Sequence, residues 1–352
     1  MALERQIARV AVKRPCEHGF GVLEWLVATV VVLLSLATLL GVLRIVQPQT
    51  AAAQRSVEVD QRLRSAVVRI ADLLREAGGA LPADPRPGAL AWWLPPVFPQ
   101  LRSVTGADGE FVAADDRFTV YRISPGRATA LASPMALPTA PLELLLAGGC
   151  PAGRPACGFG PGDRIVVADV TGQYDTPVVG TVGPSAITTY APARLSQAYG
   201  AQGATLVAGL DVDALAFEPA SRRLRLYRGS AAGMPFADVV ETMRIRYFGD
   251  PAPPRAPGAP GRASCVVDET GAPRLPALAP THGRYAELTP AMLSDGPACG
   301  AAPHRFDADL LRVRAVRVTL RMAPEAGPAT GTLNRVDPRE VTFDVAIRNH
   351  EG

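Results

Sequence analysis

Residues 20–46 read FGVLEWLVATVVVLLSLATLLGVLRIV, with no charged side chain between Trp25 and Leu43. A helix needs about 20 consecutive apolar residues to cross the hydrocarbon core of a bilayer, so this run predicts a transmembrane helix. Residues 1–19 are basic, with Arg5, Arg9, Lys13 and Arg14 against Glu4 and Glu17. Positive charge flanking such a helix stays on the cytoplasmic side, which sends everything after it outward. A secretory signal peptide would have a shorter apolar core followed by a small-x-small cleavage site, so ordinary cleavage after the run is not expected. Cys16 precedes the run and fits no lipoprotein arrangement.

A different period follows. Val59, Leu63, Ala66, Val67, Ile70, Leu73, Leu74 and Ala77 recur at helical spacing while the intervening positions are charged, which predicts an amphipathic helix over 54–77 packed on its own globular domain. Gly78 and Gly79 offer a glycine C-cap, and Pro82, Pro85 and Pro87 forbid continuation. Pro48 is expected to bend or interrupt the chain between the two patterns. If helical throughout, residues 20–77 would extend about 87 Å, and an apolar half of that length belongs in lipid or in a helical bundle.

From residue 115 the period changes to that of strands. Short alternating or β-branched segments stand at 118–123, 164–170, 178–182, 212–218, 224–228, 243–247, 313–322 and 341–348, separated by Gly/Pro-rich turns. The fold class expected is α+β, a long N-terminal helix packed on a mainly antiparallel sheet head. PAPPRAPGAPG at 251–261 reads as an irregular surface loop.

Composition narrows the function classes. The chain has 352 residues, 48% of them hydrophobic and 20% charged, which is globular and not disordered. A net charge of +3, of which residues 1–19 carry +2, does not advertise a nucleic-acid partner. Basicity rests almost wholly on arginine, Lys13 being the only lysine. Beyond Cys16 the cysteines form an even set, Cys150, Cys157, Cys265 and Cys299, as suits an oxidising compartment. Two local disulfides, Cys150 with Cys157 and Cys265 with Cys299, are the simplest pairing, though four cysteines allow three connectivities.

Other chemistry is weakly encoded. The histidines, His18, His282, His304 and His350, lie in no metal-ligand spacing. The glycine-rich run from Cys157 to Asp163 precedes a predicted strand, so it reads as a turn and not as a phosphate loop. Ser185 and Ser230 occupy no nucleophile elbow, and neither catalytic residues nor a cofactor are expected. Arg312, Arg314, Arg317 and Arg321 read as a solvated strand face whose change of parity suggests a bulge or a mixed face. Trp92 and Trp93 fit either an interaction patch or packing beneath a proline-rich loop.

Glu24 is the exception within the apolar run. A carboxylate at the centre of a membrane helix costs roughly 2.5–3.5 kcal/mol, less near an end, so it calls for a partner unless it snorkels to the interface beside the positive helix terminus. Gly19-Phe20-Gly21-Val22-Leu23-Glu24 resembles the prepilin processing signature of the type IV pilin-like superfamily: a glycine ending a basic leader, a phenylalanine, and glutamate at the fifth mature position. Gly21 stands where a small hydroxyl residue is more usual, and Trp25 where a leucine-like one is.

The resemblance implies cleavage between Gly19 and Phe20 by a prepilin peptidase and N-methylation of Phe20. It gives Glu24 the role of assembly charge, paired with the cationic N-terminus of a neighbouring subunit. It divides the chain into a leader (1–19), a transmembrane and filament-core helix (20–47), an amphipathic half-helix (48–79) and an extracytoplasmic β-rich head (80–352). ADLLREAGG and FADVVETMRIRYFGD further resemble PilW-type minor pilins, in which a short helix leads into a central strand at the second of these segments, and VRAVRVTLRM and VTFDVAIRN resemble the closing strands of those proteins and of J-type minor pseudopilins.

The function so implied is structural: a minor subunit that starts or caps a type IV pilus or a type II secretion pseudopilus. Its partners would be minor and major pilins or pseudopilins, prepilin peptidase, the inner-membrane assembly platform and membrane lipid, without nucleic acid. It would reside in the inner membrane with a periplasmic head, then at a filament tip. The alternative is a signal-anchored extracytoplasmic enzyme or ligand-binding protein in which Glu24 is incidental.

Overall fold

The structure, a computed structural model, describes residues 21–78, 94–100, 113–146, 150–169, 173–190, 195–200, 205–229, 232–254, 263–300, 305–323 and 337–347. The expected cleavage residues Gly19 and Phe20, and Trp92 and Trp93, lie outside them. The chain falls into two units, one ending at Arg55 and the other beginning at Ser56.

Helix α1 runs Val22–Arg75 over 54 residues. The interruption expected at Pro48 does not occur. A proline forfeits one intrahelical N–H bond, and good helix formers on both sides, Leu43, Arg44 and Gln47 before it and Ala51, Ala52 and Ala53 after it, carry the helix past. The stop falls where the glycine was read. Gly78 takes a left-handed φ of 69°, open to a residue without Cβ, and its N–H donates to the Tyr121 carbonyl at 2.6 Å.

The head is built of antiparallel strands throughout. In chain order they are β1 (Val97–Phe98), β2 (Arg117–Ala130), β3 (Leu142–Glu143), β4 (Ile165–Ala168), β5 (Tyr174–Asp175), β6 (Val179–Val182), β7 (Ala186–Thr189) and β8 (Leu206–Glu218). There follow β9 (Arg223–Arg228), β10 (Met234–Ala237), β11 (Val240–Gly249), β12 (Ala286–Leu288), β13 (Ala298–Cys299), β14 (Phe306–Asp307), β15 (Val313–Met322) and β16 (Arg339–Ala346).

Strand β8 organises the first sheet: one edge pairs with β2, and the other pairs first with β4 and then with β9. The second sheet has the order β12-β11-β15-β16, and a smaller one the order β3-β7-β6. The short helix implied at 236–250 is absent. Met234–Ala237 is strand, paired with β9, and Phe236 is buried beneath the Arg69 guanidinium, 4.0 Å from its ring centroid. Ladder bonds and burial of this side chain outweigh local helix propensity.

The apolar stripe of α1, comprising Val59, Leu63, Ala66, Ile70, Leu73 and Leu74, is buried together with Ala77 just beyond it in one core with residues of both large sheets, among them Phe118, Leu215, Met243, Val316 and Val318. A second, smaller core gathers Leu142, Phe159, Ile165, Val179, Ile187 and Tyr199 around the three-stranded sheet. The cysteines pair locally: Cys150 with Cys157 beside the small core, and Cys265 with Cys299 at the main one. As read from the sequence, the glycine-rich run after Cys157 turns into β4 and not into a helix.

Candidate membrane anchor and charged sites

Gly21 is the N-cap of α1 and Glu24 its third helical residue. Glu24 Oε2 accepts the Gly21 N–H at 3.2 Å, while the Gly21 carbonyl accepts from Glu24 N at 2.9 Å. This is half of a capping box: an acid one turn into the helix satisfies a donor that has no partner within the helix, close to the positive end of the macrodipole.

Beyond Glu24 the helix surface is apolar and uncovered, with Leu23 77%, Trp25 69% and Leu33 65% exposed. The hydroxyls within it turn inward on their own helix: Thr29 donates to the Leu26 carbonyl, Ser35 to Val31 and Thr38 to Ser35, at 2.8–2.9 Å. Such bonds leave no polar donor facing a surrounding hydrocarbon phase. Among the described residues this is the one helix long and apolar enough to cross a membrane.

The arginines expected on a solvated strand face are all engaged. Arg312 is buried: its Nε lies 2.6 Å from Asp309 Oδ1, and its two terminal nitrogens donate to the carbonyls of Pro251 and Pro276. The solvated reading fails there because the residue precedes β15, in a 3₁₀ turn that points it into the head. Arg314 pairs with Asp250, Arg317 with both oxygens of Asp344, and Arg321 with Glu241. The change of parity is a bulge: Phe248 faces Ala315 and the next residue, Gly249, faces Val313, leaving Arg314 as the extra residue. A Cβ on Gly249 would lie 2.6 Å from the Arg312 carbonyl oxygen, so only glycine fits this crossing.

Four buried carboxylates, Asp175, Asp213, Asp307 and Asp309, were not singled out from the sequence. Asp175 Oδ2 accepts from Ser196 N–H, the Ser196 hydroxyl and the Tyr199 hydroxyl at 2.7–2.8 Å, fixing the segment after 194 onto β5. Burial, and then the Asp175 charge, push the Tyr199 phenol far above its ordinary value, so it remains a donor. Asp307 accepts the N–H groups of Asp309 and Gly296. Asp295, Asp307 and Asp309 hold carboxylate oxygens within 4.8 Å of one another, and burial raises the Asp309 carboxyl to about 6 against the pull of Arg312. The Asp-x-Asp spacing at 307 and 309 was visible in the sequence. Its closeness to Asp295 comes from the pairing of β13 with β14.

No protein-family model, characterised protein or solved structure matches the chain.

Proposed function

We propose that this protein is a minor pilin or minor pseudopilin, a structural subunit that takes part in starting or capping a type IV pilus or a type II secretion pseudopilus. The observation that carries the reading is the placement of Glu24, an acid one turn into an uncovered apolar helix, bonded only to a backbone N–H at 3.2 Å among the described residues. A carboxylate so held is a weak resident of lipid and a strong acceptor for a cation delivered in low dielectric. Cleavage between Gly19 and Phe20 would create such a cation, the methylated amine of Phe20, on each neighbouring subunit. The amphipathic half of α1, buried in the head core, supports the division into filament rod and displayed domain. The paired cysteines suit a periplasmic head. A head of more than 270 residues after Gly79 favours a tip position over a repeated major subunit.

Intact-mass and N-terminal analysis of the membrane-extracted protein tests the reading. A chain beginning at methylated Phe20 is expected. An uncut Met1 terminus would instead favour a signal-anchored extracytoplasmic protein.

A further inference from the structure

Strand β16 is the outer strand of the second sheet, and its pairing with β15 is unbroken from Arg339↔Met322 to Ala346↔Ala315. The Ile347 N–H donates to the Arg314 carbonyl at 2.8 Å, which sets the phase of the ladder. Alternate residues of an antiparallel strand turn their N–H and C=O groups the same way. Val341, Phe343 and Val345 therefore bond inward to β15, while Glu340, Thr342, Asp344 and Ala346 present theirs outward. Among the described residues these outward groups have no main-chain partner.

Open edges of this length are a hazard that folded proteins blunt with short strands, prolines, charged side chains (lysine above all) or bulges. The other edges here follow that rule, since β1, β3 and β5 have 2 residues each, β12 has 3, and β6 and β10 have 4. Strand β16 has 8 residues, reads REVTFDVA, and contains no proline, lysine or bulge. Its inward side chains Val341 and Phe343 lie against the main core yet stay only half-buried, since among the described residues no strand stands beyond them. On its outer face Asp344 is taken by Arg317, whereas Glu340 has no ion pair among the described residues.

We propose that the free edge of β16 is a docking site for an extended segment of a partner protein, added as a further strand. The partner's chemistry follows from the two faces. Apolar side chains at alternate positions would cover Val341 and Phe343, and basic side chains at the others would meet Glu340, with main-chain bonds to residues 340, 342, 344 and 346 supplying the register. The inference concerns the head alone and does not depend on processing at Phe20.

The test uses the full chain in detergent and a fluorescent eight-residue peptide of alternating valine and lysine, followed by anisotropy. Saturable binding is expected. Binding should weaken at least ten-fold when the amides on the pairing edge of the peptide are N-methylated, which spares charge and apolar area but removes the main-chain donors. Thr342→Pro should weaken it similarly, because that N–H faces outward and has no main-chain partner among the described residues, the internal bond given up being the hydroxyl contact with Thr319 at 2.9 Å. The methylated peptide keeps the test decisive if this variant misfolds. Absence of saturable binding, or equal binding of the methylated peptide, would overturn the proposal. So would a self-associated wild-type chain that Thr342→Pro renders monomeric, which would assign the edge to a second copy.

Discussion

Arg122 on β2 donates from Nη2 to Oδ2 of Asp213 on β8 at 2.6 Å, and from Nη1 to the carboxylate of Glu76 just beyond α1. Asp213 is buried, and burial raises its carboxyl, with Arg122 the main opposing influence. One guanidinium thus ties the helix end to the central strand of the first sheet. Arg122→Ala should destabilise the head by about 3 kcal/mol, since the carboxylate stays buried with, among the described residues, Arg228 at 3.5 Å as its remaining cation. A lowered urea midpoint with unchanged slope would show it, and an unchanged midpoint would refute the pinning role.

Asp309 gives the stability a pH dependence of definite sign. Its folded carboxyl lies at about 6, above the ordinary aspartate value of about 3.9. The folded chain therefore holds this proton more readily than the unfolded one. The contribution is complete below the unfolded value and is lost as pH rises through 6. Between pH 5 and 7.5 stability should fall with rising pH by on the order of 1–2 kcal/mol from this group. Asp309→Asn should flatten that slope: it should lower stability at pH 7.5, where the ionised carboxylate faces the buried Arg312, and change it little at pH 5, where the carboxyl is already mainly neutral. Denaturation midpoints at the two pH values for both proteins check this.

The two disulfides should differ in worth. Cys150–Cys157 closes a separation of 7 residues and Cys265–Cys299 one of 34. Loop-closure entropy gives about 2.4 kcal/mol for the first and about 3.8 for the second. Serine pairs replacing each bridge should lower the denaturation midpoint in that order. The reverse order would mean that the small lobe depends on its bridge for more than chain entropy.

At Glu24 two substitutions separate capping from charge. Glu24→Gln keeps an acceptor for the Gly21 N–H but carries no charge, whereas Glu24→Ala loses both. If the assembly role holds, both variants should fail to enter filaments or to co-purify with other minor subunits, while remaining inserted in the membrane. Normal incorporation of the glutamine variant would remove the electrostatic basis of the proposed function.

The helix and the strands were legible because their signals are local. Successive side chains at α1 fall on one face every third or fourth residue, and the segments read as strands at 118–123 and 313–322, with residues 341–346 of the one read at 341–348, lie on observed strands for the same kind of reason. Pro48 does not interrupt the helix, since the effect of a single missing bond is decided by the strength of the whole helix and not by the residue itself. The strand at Met234–Ala237 was missed because its partner β9 supplies the reason for it.

What the sequence settled by itself was periodicity: where the chain is apolar all round, where it has one apolar face, and where it alternates. These follow from bond geometry within a few residues. Tertiary structure alone decided which charges meet. It joined Arg122 to Asp213, gathered Ser196 and Tyr199 on Asp175, and, among the described residues, left no strand beyond β16, because such encounters join residues distant in sequence and their energies depend on how much water the surrounding fold excludes.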